Sequence, residues 1–293
     1  MLNDVISRRR AVTAGVLAVA AVLAAPIAAK ADAFTDKVKK DGIIVAYAEE
    51  APWAFLGPDK KVAGTDPEVI ESILKKMGAK EVKYQNTEWS TLIPGVRAKR
   101  FDMAITGIFI KPDRCTQVIF TDPIMIAPDG MIVMKGNPKK INGFEAFVKD
   151  RTLKVGTTIG GTGPRDHALA VGVNRDQIVE LPDTPTQIAA MKAGRIHAAL
   201  NTDQGNVAIL EQAKDPAVEL ARPFKQAEKD GKLLVGVTAF AFQPDAGPFV
   251  KEFNKQLATV RGSPEHIKIL KKYGLSEDAL PAKGVTTEMM CKG

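Results

Sequence analysis

From Ile43 to Tyr273 the chain alternates short apolar runs with segments whose apolar residues recur every three to four positions. Short apolar runs bounded by turn residues read as buried strands, and the longer spacing reads as amphipathic helix. Strands are expected at residues 43–47, 82–84, 103–106, 118–120, 131–134, 154–157, 178–181, 196–200 and 218–221. Helices are expected at 34–40, 66–77, from 87 onward, and at 144–149, 165–171, 184–193, 207–213, 248–260 and 264–273. Gly78, Gly194, Gly262 and Gly274 fall where four of these helices should stop. Residues 233–242 form a longer apolar segment interrupted by Gly236. Strand–helix alternation dictates an α/β architecture with mostly parallel sheets. A chain of 293 residues is long enough for two lobes.

One stretch departs from plain core patterning. Residues 104–123 read AITGIFIKPDRCTQVIFTDP. An apolar strand ends at Gly107, Phe109 follows in a loop, and Pro112 marks the entry to a helical turn. Arg114 then presents a planar fork of donors suited to a carboxylate. A second apolar strand ends at Asp122-Pro123. An aromatic and an arginine between two strands describe a ligand site on rigid supports. A surface arginine paired with Asp113 or Asp122 is the plain alternative.

On this run the chain resembles the extracellular solute-binding proteins of ABC importers for polar amino acids. In that family an arginine shortly before an F-(S/T)-D-P strand holds the ligand carboxylate, and Arg114 before Phe120-Thr121-Asp122-Pro123 matches it. The G-(I/L)-F-x-K-P-x-R-C run is similar to the ectoine and hydroxyectoine binders. The resemblance implies a two-lobed periplasmic-binding-protein type II fold with two hinge crossings, near 126–128 and 238–240. Lobe one would comprise residues 32–126 and 239–293, and lobe two residues 127–238. Trp53, Trp89 and Phe109 fall on three ring positions around the ligand of those relatives, and Glu50 on an acidic contact. Each ring has an alternative as core filler, and Glu49 could stand in for Glu50. Gly160-Gly161-Thr162-Gly163-Pro164 precedes a helix, and the family places ligand contacts there, at Thr162. It is no nucleotide loop, since no Gly-Lys-Ser/Thr follows.

One departure bears on the ligand. Relatives that bind α-amino acids carry an aspartate for the ammonium after a G-R-(I/L)-D-A strand. Here the strand reads Gly194-Arg195-Ile196-His197-Ala198, and the ammonium position falls at Thr202, with Asp203 next. A threonine cannot neutralise an ammonium. This favours a small zwitterion with dispersed positive charge, ectoine-like or betaine-like, over a polar α-amino acid. A periplasmic dehydratase of the cyclohexadienyl type on the same fold is the reading from another class.

The N-terminus reads as a secretory signal over residues 1–31, with Arg8, Arg9 and Arg10 before an apolar, Ala-rich run and Ala29-Lys30-Ala31 at the cleavage point. Both the general secretory and the twin-arginine routes fit. The apolar run is short of the roughly 20 residues of a spanning helix. The expected place is the periplasm, and the expected partner an ABC permease in the inner membrane. In an oxidising compartment the only two cysteines, Cys115 and Cys291, suggest one bridge, as similar cysteines in the ectoine-binding relatives imply; two free thiols are the alternative. The net charge of +7 is spread over interspersed lysines and acids, which gives no nucleic-acid stripe. His167, His197 and His266 lie far apart, with no zinc spacing and no paired nucleophile. No cofactor, no metal and no catalytic residue is expected, and the working form is a monomer.

Overall fold

The computed structural model describes residues 25–292, without the side chains of 25–32 and of Thr162. Arg8, Arg9, Arg10 and most of the expected leader lie outside the described residues. Helix α1 (Ala25–Asp41) crosses the expected cleavage point and feeds strand β1 (Ile43–Tyr47). A hairpin of β2 (Phe55–Leu56) and β3 (Val62–Ala63) leads to α2 (Thr65–Lys76). Val69, Ile70, Ile73 and Leu74 form the buried stripe of α2, one face of a 3.6-residue period. Then come β4 (Val82–Asn86), α3 (Leu92–Arg97), β5 (Met103–Ala104), α4 (Pro112–Cys115), β6 (Ile119–Phe120) and β7 (Met125–Ala127).

A second sheet follows. Its elements are β8 (Asp129–Met134), α5 (Glu145–Lys149), β9 (Val155–Thr158), α6 (Thr162–Ala170), β10 (Ile178–Leu181), α7 (Thr184–Lys192), β11 (Ala198–Thr202), α8 (Asp203–Ala213) and β12 (Val218–Leu220). A hairpin of β13 (Glu228–Lys229) and β14 (Lys232–Leu233) precedes the return through β15 (Gly236–Thr238) to β16 (Ala241–Phe242). Helices α9 (Gly247–Val260), α10 (Pro264–Lys272) and α11 (Thr287–Lys292) close the chain.

The strand order is β4-β1-β5-β16-β6 in one sheet and β10-β9-β11-β8-β12 in the other. The expected apolar segment at 233–242 is divided: Gly236–Thr238 pairs with β7, and Ala241–Phe242 joins the first sheet. The two passages between sheets therefore run side by side as an antiparallel pair.

Four of the five strands in each sheet point the same way, as expected, and one is reversed. β1 runs parallel to β4 and β5, and β9 parallel to β10 and β11, but β16 opposes β5 and β6, and β8 opposes β11 and β12. The reason is connectivity. A parallel neighbour needs a crossover helix, and β8 and β16 come straight off the passages without one.

Both sheets are covered on both faces, so β1 is almost wholly buried and shows no alternation. Phe249, Val250, Phe253 and Leu257 of α9 pack on the first sheet together with Phe34 of α1, whose ring meets that of Phe249 edge-on at 5.2 Å. Cys115 and Cys291 are bridged, with Cα atoms 5.8 Å apart. The bridge spans 176 residues, for which loop entropy gives a stabilisation of ~5 kcal/mol, the upper end of the usual range.

Candidate functional site

Ligand groups of open α/β sheets collect past the carboxyl ends of strands. Here the ends of β1, β4 and β5 face those of β9 and β11 across a crevice. Glu50, Trp53, Trp89, Thr106, Gly107, Phe109 and Arg114 line one side, and Thr158, Gly161, Gly163, Pro164, Leu200, Asn201 and Thr202 the other. The cavity left between them is about 30 Å³, room for a water or two. It adjoins a space of about 270 Å³ that shares Glu50, Trp89 and Thr158 and reaches Glu88 and Asp183. A larger groove of about 620 Å³ runs past Phe144 and Lys225, and none of the crevice residues lines it.

Arg114 is 5 % exposed on the four-residue turn α4. Its Nη1 donates to the Phe109 carbonyl at 3.0 Å and its Nη2 to the Gly160 carbonyl at 3.1 Å. The guanidinium lies over the Trp89 ring, 5.2 Å from its centroid. Burial lowers the Arg114 pKa to about 10, which leaves it charged at neutral pH. Glu50 meets Trp89 at the ring edge: Trp89 Nε1 donates to its carboxylate at 2.6 Å. Asn201 Nδ2 donates to the same carboxylate from the second sheet at 2.8 Å. Burial raises the Glu50 pKa, and the Asn201 and Trp89 bonds oppose that rise.

Phe109 is held differently from a loop aromatic. It bridges Thr238 and is only 6 % exposed. A Cβ on Gly163 would stand 2.2 Å from its ring, and one on Gly236 would stand 1.9 Å away. Only glycine at both positions lets the ring in. Trp53 is 1 % exposed, in the core cluster under the first sheet, with its ring beneath Gly107. It thus lines the crevice and fills the core at once. Both tryptophans face the same crevice.

The floor is pinned by a carboxylate that sequence reading placed only at a helix start. Asp66, in the first turn of α2, accepts from the backbone N–H groups of Thr106 and Gly107, both at 2.9 Å. Thr106 has φ of 99°, a costly conformation for a β-branched residue, held by Asp66 and by hydroxyl bonds to Ala48. Burial pushes the Asp66 pKa up to about 6, and the two N–H bonds pull against it.

Thr202 lines the crevice, but its hydroxyl also caps α8 by accepting from Gly205 N–H at 3.2 Å. Asp203 is turned away to Arg222, 2.7 Å from its Nη1. The Thr162 side chain lies outside the described residues. Sequence reading missed Asn201, Thr158, Thr106 and Asp66. The position of Asn201 near the end of a strand was the one available signal. Lys111, just before α4, and Asp166 of α6 form a partly buried ion pair between the two sides of the molecule. Among the described residues no cluster of His, Cys, Asp and Glu could hold a metal ion, and no helix is long and apolar enough to cross a membrane.

The family model for bacterial extracellular solute-binding proteins, family 3, matches residues 43–276. A probable amino-acid ABC transporter periplasmic-binding protein of Sinorhizobium fredii is 31% identical over 262 residues, covering 87% of this chain and 85% of that one. The L-cystine-binding protein TcyJ of Escherichia coli K12 is 26% identical over 225 residues, covering 76% and 82%. Among solved structures, EhuB in complex with hydroxyectoine superposes with a TM-score of 0.77 at 30% identity, covering 88% of this chain and 97% of that one. An ancestral arginine-binding protein bound to arginine, at 22% identity and a TM-score of 0.67 over 79% of this chain and 97% of that one, shares the fold.

Proposed function

Because the chain belongs to family 3 of the bacterial extracellular solute-binding proteins, we propose that it captures a small zwitterion for an ABC importer, with Arg114 as the anion grip. The carrying observation is Arg114 over the face of Trp89 and Glu50 on its indole N–H, all lining one crevice. A guanidinium takes a carboxylate in a bidentate pair. Ring faces attract a dispersed cation by roughly 0.5–2 kcal/mol each when water is excluded, and the Glu50 carboxyl adds a polar partner. Together these reach a good part of the ~8 kcal/mol of a micromolar complex. Thr202 offers no carboxylate to an α-ammonium, and Asp203 is paired with Arg222. An ectoine-like or betaine-like solute therefore fits better than an α-amino acid. EhuB, whose structure holds hydroxyectoine, supports this choice.

Lobe one, residues 32–126 and 239–293, and lobe two, residues 127–238, swing about the paired passages β7 and β15. Ligand enters the open form, and the closed form is what a permease reads. Glu50–Asn201, Arg114–Gly160 and Lys111–Asp166 join the lobes when shut. The protein works as a monomer outside the inner membrane, exported by residues 1–31, and it neither catalyses a reaction nor binds nucleic acid.

Polar amino-acid binding is the second reading, favoured by the cystine-binding relative. A thermal-shift screen of ectoine, hydroxyectoine, glycine betaine, L-cystine, L-arginine and prephenate separates them. Stabilisation by the first three supports the proposal. Stabilisation by α-amino acids alone overturns the ligand class and leaves the receptor. Turnover of prephenate would make the protein a lyase.

A further inference from the structure

Arg114 stands on a helix that cannot hold itself. α4 has four residues, and a single turn fixes several dihedrals for very few hydrogen bonds. Successive helical residues point about 100° apart, so Arg114 enters the crevice while Cys115 faces the outer side. There Cys115 is bonded to Cys291 of α11. The segment carrying Cys291 is itself anchored. Thr287 Oγ1 donates to the Thr121 carbonyl at 2.6 Å. Val285 and Met290 pack on the apolar cluster of Ile110 and Val118, which also carries Trp89. The C-terminal strap thus braces the turn that carries Arg114 from behind, on the same apolar cluster that Trp89 packs against.

We propose that this strap is a positioning element for Arg114, and that the oxidation state of Cys115–Cys291 sets how firmly the crevice holds a carboxylate. This rests on Arg114 being the anion grip. Both cysteines are partly exposed, so a dithiol can reach them. One reductant thiolate attacks a cysteine sulfur, the Cys–Cys bond breaks, and the departing thiolate takes a proton. The second reductant thiol resolves the mixed disulfide. Two electrons and two protons pass to the protein, and the reductant leaves as its own cyclic disulfide.

The test compares oxidised protein, protein reduced with dithiothreitol, and Cys291→Ser, all at 25 °C. Amide hydrogen exchange is read at residues 112–118 and, as a reference, in β9 and β11. Affinity is read by calorimetry with hydroxyectoine. Reduction and Cys291→Ser should both speed exchange at 112–118 about tenfold through local opening of that segment, and weaken binding about tenfold, while β9 and β11 report the global stability that the bridge also supplies. Thr287→Val, with the disulfide intact, should shift both readouts the same way by less. A disulfide that only stabilises the fold would speed exchange in β9 and β11 and leave exchange at 112–118 and the affinity unchanged, or would change neither readout at 25 °C, and either result overturns the proposal. If hydroxyectoine fails to bind the oxidised protein, the ligand reading fails, and the exchange contrast still decides the strap.

Discussion

The two walls of the crevice are built from different chemistry. The first-sheet wall carries the charges and the rings, Glu50, Trp53, Trp89, Phe109 and Arg114, whereas the second-sheet wall offers hydroxyls, an amide and glycines. The first wall is also the one whose backbone is pinned, by Asp66 across 106–107 and by the bridge behind Arg114. The second wall makes its contacts through a carbonyl of Gly160, the amide of Asn201 and the bare Cα of Gly163. Under the proposed function, one wall grips and the other shuts against it.

The largest effect should come from cutting the grip. Arg114→Met should weaken ligand binding about 100-fold, since a charge-assisted pair is worth roughly 1.5–3 kcal/mol and the stack on Trp89 adds to it. Calorimetry on the folded variant reads this, and an unchanged affinity would end the division of labour.

Asp66→Asn asks whether the first wall is held under electrostatic load. With a folded pKa of about 6 against an ordinary 3.8, the native state binds this proton more tightly than the unfolded chain. The stability it contributes is full below about pH 3.8 and is lost as pH rises through about 6, by ~2–3 kcal/mol. Urea melts across that window should show this slope in the wild type and lose it in Asp66→Asn.

Gly163→Ala sharpens the contrast from the other wall. Alanine favours a helix over glycine by about 1 kcal/mol, so the ligand-free protein should melt no lower. The added methyl meets Phe109 at 2.2 Å, so closure should suffer and affinity fall about tenfold. Stability and binding moving together would break the assignment of this wall to closure.

The smallest effect belongs to the ion pair between the two sides of the molecule. Lys111→Met should change affinity by no more than about threefold, because part-exposed pairs are worth ~1 kcal/mol or less. It should also flatten the loss of affinity between low and high salt.

Much of the fold is legible in the chain because periodicity is local. β1 and β10 fall where their apolar runs do, and α9 follows its Phe249–Phe253–Leu257 stripe. The run around Arg114 announces a site because an aromatic and an arginine between two strands have no use in a plain core. The bracing role of Asp66 was missed because its partners, Thr106 and Gly107, are forty residues away and contribute only backbone N–H groups, which no residue pattern displays. Phe109 read as a loop ring, and only the glycines of two distant elements show how it is buried. Asp203 and Thr202, adjacent in sequence, point to different partners because one begins α8 and the other caps it.

The order of strands and helices, the family and the residues proposed to grip the ligand were legible in the sequence itself, since side-chain type and spacing along the chain suffice for them. Which strands run antiparallel, which carboxylate braces the floor and which residues meet across the crevice were decided only in three dimensions. Those features depend on the return of the chain through β15 and on contacts between segments that the sequence keeps far apart.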